Sequence, residues 1–369
     1  MRLEFDKEKL LQALGIVFRA IPSRTTNPIL ECILFEAGTE KIKLTANDTE
    51  LGIETSVEGT ILEKGKVAID ARLTFEIIKK LEGGDAPVII ESDASFTTTI
   101  SCEDAVFNIQ GRDGEEFSYL PNIEKNNYIC ISQFTLREAV RKTIFSAALN
   151  DTNKMMGGEY IEVKENTVKF VALDGHRIAI CNVKMKESYG SAKVIVPGKT
   201  MNEISKIIMD NNEKEVLIYF SRNHILFEFD ETVVISRLIE GEYFRIDHML
   251  SKDYEIKLGV NRVKLLNSID RSTILIRESD HKPIILDIAD RSIKLKVKSS
   301  YGTMDGVVSC EKTGKDLMIA FNPKFLLDAL RVIEDETVDL YLTNAKAPCY
   351  IRDEKESYIY LILPVSFVV

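Results

Sequence analysis

Tryptophan is absent from this 369-residue chain, and its four histidines and six cysteines are scattered. Cys32, Cys102, Cys130, Cys181, Cys310 and Cys349 form no CxxC pair, and no histidine joins them at zinc-ligand spacing. These absences argue against a metal site and a disulfide framework, and reduced thiols in a cytoplasm are expected. No apolar window approaches the ~18 residues of a membrane-spanning helix. The N-terminal MRLEFDKEKL carries charge where a signal peptide needs an apolar stretch, so a soluble, unexported protein is expected. Nine prolines and 19 glycines form no low-complexity tract, and the length suits two or three domains. Positive charge is in deficit: 48 Lys and Arg against 58 Asp and Glu give a net charge of −10. An acidic whole repels phosphate, which argues against loose coating of nucleic acid.

What is present is an internal repeat. VAIDARLTFEIIKKL (67–81), VIVPGKTMNEISKII (194–208) and MIAFNPKFLLDALRVI (318–333) each read as a short apolar strand, a turn and an amphipathic helix. Aligned on the strand end, Arg72, Lys199 and Lys324 coincide, each followed four residues later by an acid: Glu76, Glu203 and Asp328. Residues four apart share a helix face, so each basic and acidic side chain can pair. A second set, LEFDKEKLLQAL (3–14), ICISQFTLREAV (129–140) and KLGVNRVKLLNSI (257–269), brings Asp6, Ser132 and Asn261 into register. All three are residue types that accept first-turn N–H groups of a helix. Leu10, Leu136 and Leu265 then open apolar stripes.

A third set places a polar turn between β runs: LTANDTELGI (44–53), VALDGHRIAI (171–180) and LKVKSSYGTM (295–304). The predicted class is α+β, with three β-α-β-β-β-α-β-β-β domains at 1–125, 126–252 and 253–369. A plain triplication satisfies this repeat as well as any larger assembly does.

Charge is not spread evenly over the pattern. The windows 6–19, 70–80, 134–146, 199–210, 261–271 and 322–333 hold 16 Lys/Arg and 9 Asp/Glu, a balance of +7 that leaves −17 for the rest. Basic helices against acidic sheets and loops suit an anion on one side of the molecule. Candidate phosphate-facing groups are Lys79, Lys80, Arg137, Arg141, Lys199, Lys206, Arg262, Lys264, Arg271, Lys324 and Arg331; singly, each reads better as a solvated or i,i+4-paired surface charge, and only as a set do they favour DNA. No zinc finger, RNP-type strand or basic zipper accompanies them, so binding would be to phosphates and independent of base sequence.

RTTNPIL (24–30), LTANDTELGI (44–53), ALDGHRIA (172–179), SRLIEGEY (236–243), FNPKFLLDAL (321–330) and LILPV (361–365), in this order, resemble the bacterial replication sliding clamps, the β subunit of DNA polymerase III. The resemblance runs end to end. It implies the DNA clamp fold: a head-to-tail homodimer closing a six-domain ring, helices lining the hole and sheets forming the shell. It further implies a non-catalytic processivity subunit, with nucleotidyl transfer left to the rest of the holoenzyme. Double-stranded DNA, the polymerase III catalytic subunit, the clamp loader, repair polymerases and mismatch-repair proteins are the implied partners. Arg24 and Arg72 match DNA-contacting positions, and Lys199 matches similarly. A pocket for short linear peptides matches Met156, Leu173, Gly175, His176, Arg177, Ile178, Phe244, Met249, Phe325, Cys349, Leu363, Pro364 and Val365. Two departures touch its rim: Phe244 stands where the family has proline, and Ser366, followed by Phe367, Val368 and Val369, where it has a basic residue. Phe107, Ile274 and Leu275 are the candidate dimer contacts, because an exposed strand edge must be paired or protected.

Three motifs tempt an enzyme reading. DGHR (174–177) brings Asp174 and His176 together without a positioned nucleophile or oxyanion donors. GRDGEE (111–116) lacks calcium-loop spacing, and VPGK (196–199) falls short of a phosphate-binding loop. A hydrolase using Asp174 and His176, and a scaffold that binds only peptides, stand as the rivals.

Overall fold

The computed structural model describes residues 1–82, 84, 86–148, 153–276 and 282–367. Six α-helices form where the repeat places them: α1 (Lys7–Val17), α2 (Ala71–Lys80), α3 (Gln133–Arg141), α4 (Gly198–Ile207), α5 (Arg262–Thr273) and α6 (Pro323–Val332). Their starts are fixed locally. Asp6 accepts from the Lys9 amide at 2.9 Å and Asn261 from the Lys264 amide at 3.0 Å. Asp70 and Asn322 do the same for α2 and α6, at 2.7 and 3.0 Å. Each such side chain satisfies an amide that the helix itself cannot pair. Ser132 closes the strand Tyr128–Ser132 immediately before α3.

The predicted polar turns also separate strands. Ile42–Asn47 pairs with Leu51–Val57, Gly158–Leu173 with Arg177–Pro197, and Ser292–Ser299 with Gly302–Thr313, all antiparallel. Between the two helices of a copy, however, the strand number is not uniformly three. It is five in the first copy, two in the second and four in the third. The second copy draws the path in two long strands that run through a register shift at Glu165, whose φ is 53°. At the matching place the third copy makes a turn instead, at Asp290 with φ 51°.

Two compact units form: Met1–Phe134 with Glu203–Leu238, and Thr135–Asn202 with Ile239–Val369. The first holds a five-stranded and a nine-stranded sheet. In the nine-stranded sheet Leu51–Val57 of the first copy pairs with Thr232–Arg237 of the second. The other unit holds a ten-stranded sheet in which Arg177–Pro197 of the second copy pairs with Tyr358–Ile362 of the third. Copies therefore join edge to edge, which hides strand edges that would otherwise template aggregation.

Each helix lays an apolar stripe on its sheet. Leu10, Leu136 and Leu265, the first stripe positions of the leading helices, are 0, 0 and 1% exposed. In the second unit α5 and α6 close over Leu258, Leu295, Phe321 and Leu340 with Leu265, Ile269, Leu326 and Leu330. Fully burying one such leucine contributes about 1.5–3 kcal/mol, so these helices are held by packing and present their opposite faces to solvent.

Candidate functional site

The solvent faces of the helices carry the basic residues, but not all are equally free. Arg24, Lys79, Lys80, Lys264, Arg271 and Lys324 are exposed. Lys79 and Lys80 fill the last turn of α2 and Arg271 that of α5, where a cation is favoured by the negative helix end. Arg72 is exposed and donates to the Pro22 and Ser23 carbonyls at 3.2 and 3.4 Å, tying α2 to the loop that carries Arg24. Arg141 is committed elsewhere: it forks onto Glu138 at 2.8 and 2.6 Å and reaches Glu334 at 2.8 Å. Lys206 pairs with Glu203 and Arg331 with Asp270. Arg262 donates to the Asp335 and Leu330 carbonyls. Arg137 is half-buried and Lys199 exposed.

The i,i+4 pairs do not form in the first and third copies. Arg72 turns to backbone carbonyls and Glu76 is not its partner. Asp328 is taken by Arg177 at 2.7 Å, 151 residues away in sequence. Glu203 of the second copy accepts from Arg19 at 2.9 Å and Lys206 at 2.8 Å. A buried guanidinium competes better for a carboxylate than a solvated lysine on the same helix does.

The peptide-pocket candidates lie in the second unit and gather around one hairpin turn. Leu173 ends one long strand, Gly175 and His176 form the turn, and Arg177 and Ile178 begin the next. Gly175 has φ 82° with open space around it, so backbone conformation and not crowding selects glycine there. Leu173 and Ile178 are buried in an apolar cluster with Ile246 and Leu361, against which Met156 and Phe244 pack. Residues 363–365 form a strap: the Leu363 amide donates to the His176 carbonyl at 2.9 Å and the Val365 amide to the Ala320 carbonyl at 2.8 Å. Leu363 is 36% and Met249 47% exposed, so both offer apolar surface at the rim. Pro364 and Phe325 are half-buried, and the His176 ring lies over that of Phe325 at 6.1 Å. Cys349 is fully buried in the adjoining core, opposite Ile362 on the strand that leads into the strap, and burial pushes its thiol up to about 12. Ser366 is exposed, and Val368 and Val369 lie outside the described residues.

Asp174 is saturated by this turn. One oxygen accepts from the His176 and Arg177 amides at 3.0 and 3.1 Å, the other from Arg177 Nε at 2.9 Å. Both oxygens are thus engaged by backbone amides and a guanidinium, and no hydrogen bond joins the carboxylate to the His176 ring among the described residues. No group of three or more His, Cys, Asp or Glu is placed to hold a metal among the described residues. No described helix is long and apolar enough to cross a membrane.

Phe107 sits on Ala105–Gln110, the last strand of the five-stranded sheet. It is 39% exposed beside Val106 at 59%. Ile274, just beyond α5, is 81% exposed, whereas Leu275 packs partly against the core of the second unit. Two residues escaped sequence reading: Asp328, which looked like the partner of Lys324, and Phe145, whose carbonyl accepts from Arg177. No local pattern signals either role.

Three domain models of the DNA polymerase III beta subunit match the chain: the N-terminal domain over residues 1–121, the central domain over 130–244 and the C-terminal domain over 247–366. The beta sliding clamp of Bacillus subtilis is 32% identical over 378 residues, and that of Staphylococcus aureus 30% over 376, with 99% of both chains covered in each case. A crystal structure of a putative DNA polymerase III beta subunit from Eubacterium rectale is 54% identical, with a TM-score of 0.95 and all of both chains covered. The sliding clamp structure from Bacillus subtilis gives 31% and 0.94, again over the full length of both.

Proposed function

The chain belongs to the DNA polymerase III beta subunit family, and from that membership we propose that it is a sliding clamp, a non-catalytic processivity subunit that keeps the polymerase on duplex DNA. Two chains join head to tail, and the six repeats at 1–125, 126–252 and 253–369 of each close a ring around the duplex. The observation that carries this reading is the threefold recurrence of paired amphipathic helices, side-chain-capped in the first and third copies, with apolar stripes inward and basic residues outward. Enclosure holds the DNA, so each contact can be weak and the ring can slide.

Arg24, Lys79, Lys80, Arg271 and Lys324 lead the phosphate contacts, because they are exposed and, among the described residues, paired with no carboxylate. Arg72 shapes the Arg24 loop, and Arg137, Lys199 and Lys206 add positive potential. Arg141 holds the helix end to Glu334 and contributes field more than contact. Short peptides from the polymerase III catalytic subunit, the clamp loader, repair polymerases and mismatch-repair proteins enter the groove. Its rim is Met249, Phe244, His176 and the 363–365 strap; Met156, Leu173, Ile178 and Phe325 line it, and Cys349 stands opposite Ile362 on the strand that leads into the strap. An apolar cleft with few polar groups suits an extended peptide. Phe107 of one subunit meets Ile274 and Leu275 of the other. The setting is the cytoplasm, and nucleotidyl transfer belongs to the polymerase's own catalytic subunit.

The test is primer extension on a primed circular template with the cognate polymerase subunit and clamp loader. Product length per binding event should rise at least about tenfold on adding the chain. Unchanged product length would remove the reading.

A further inference from the structure

Arg177 is turned to the protein's own groups. Its side chain is 8% exposed, and its three nitrogens are all engaged. Nε donates to Asp174 at 2.9 Å, Nη1 to Asp328 at 2.7 Å and Nη2 to the Phe145 carbonyl at 2.5 Å. The faces of the guanidinium are covered as well, by Phe325 at 4.5 Å and Phe145 at 5.4 Å. Each partner comes from a different element: Asp174 from the hairpin turn, Asp328 and Phe325 from α6, and Phe145 from the segment just after α3. One planar cation thus locks three elements at fixed angles, which a lysine could not do.

The lock bears directly on the groove. Asp174 also fixes the His176 and Arg177 amides, and the His176 carbonyl receives the Leu363 amide that holds the strap in place. Phe325, beneath the guanidinium, is the ring on which His176 rests. Removing one carboxylate would leave a buried cation half-compensated and free the turn to tilt. We propose that Arg177 is a positioning residue of the peptide groove and not a peptide ligand, and that Asp328 is the anchor through which α6 sets the groove's shape. This rests on the groove reading given above. The benefit is preorganisation: a wall already in its bound shape costs no ordering when the peptide arrives.

The two roles separate in a thermodynamic cycle. The full-length dimer is immobilised, and the affinity of the same organism's polymerase III catalytic subunit is measured for wild type, Asp328→Ala, Arg177→Ala and the double variant. If Asp328 acts through Arg177, each single variant weakens binding by about tenfold and the double by no more than about twofold beyond Arg177→Ala. Independent, multiplying losses would overturn the proposal, as would an Asp328→Ala of wild-type affinity or an Arg177→Ala loss far larger than that of Asp328→Ala. Asp287→Ala, which breaks the 2.9 Å pair with Lys296 on the sheet, is the control for general destabilisation and should bind within about twofold of wild type. Should alanine at 328 prevent folding, Asp328→Asn is read in the same cycle, with a loss of about threefold expected and none contradicting. Leu363→Asp tests the groove itself: wild-type affinity in that variant would remove the groove reading, whatever the cycle gives.

Discussion

Thr143 Oγ1 and Glu159 Oε1 are hydrogen-bonded to each other in the interior of the second repeat, where Glu159 is 0% exposed. The Thr143 hydroxyl also lies within hydrogen-bond reach of the Ala139 carbonyl at 2.7 Å and the Val140 carbonyl at 3.3 Å. That hydroxyl donates to Glu159 Oε1, and Glu159 Oε2 is buried with no hydrogen-bond partner among the described residues. Burial pushes the Glu159 pKa up to about 8, against the Thr143 hydrogen bond, which lowers it.

The consequence is a stability that depends on pH with a defined sign. The folded pKa near 8 lies above the ordinary 4.5, so across that window the folded state holds a proton that the unfolded state has lost. Stability from this group is fully present below pH 4.5, falls as pH rises toward 8 and levels off above it. Glu159→Gln keeps a donor and cannot ionise. Denaturant unfolding of wild type against this variant should diverge in the variant's favour by about 1.4 kcal/mol per pH unit through the middle of the window. A difference constant from pH 5 to 8 would mean that Glu159 is ionised in the fold.

Helix caps give a second, local test. Asn322→Ala removes the acceptor for the Lys324 amide and should cost about 1 kcal/mol, seen as a lower urea midpoint with unchanged slope. Asn322→Gly should cost only a few tenths, because water reaches the freed amide. Equal losses from both variants would locate the contribution elsewhere.

These two sites also mark how far the sequence could be read. Caps and apolar stripes are local, so Asp6, Asn261 and the six helices were legible from residue types a few positions apart. The polar turns at 48–50, 174–176 and 300–301 were legible for the same reason. Glu159 was not, because a glutamate in a strand resembles a solvated one until distant residues bury it. Asp328 was misread as the partner of Lys324, since the claim of Arg177 on it spans 151 residues. Phe244, Met249 and the 363–365 strap entered the groove through resemblance alone; nothing in their spacing unites them.

Salt dependence tests the phosphate contacts. Replacing Arg24, Lys79, Lys80 and Lys324 one at a time with glutamine should lower the slope of log affinity against log salt by about one per contacting residue. The loss should be the same for any duplex sequence. Arg141→Gln should instead cost stability, because it leaves Glu138 and Glu334 without their guanidinium. A slope unchanged in all four variants would place the DNA elsewhere.

Subunit pairing separates Ile274 from its neighbour. Ile274→Glu changes a side chain that is 81% exposed in the single chain, so the monomer should fold normally and sediment as a monomer. Leu275→Glu also puts a charge against the apolar core and should lose stability by about 1–3 kcal/mol as well. A dimer of wild-type strength from Ile274→Glu would exclude that residue from the contact.

The central claim is that DNA is held by enclosure. Its most direct measurement loads the chain onto nicked circular DNA with the clamp loader, linearises half the sample and follows the bound protein by gel filtration. Enclosure predicts that protein stays on the circles and runs off the linear molecules, and that blocking both ends restores retention. Equal retention on circular and open linear DNA would contradict it.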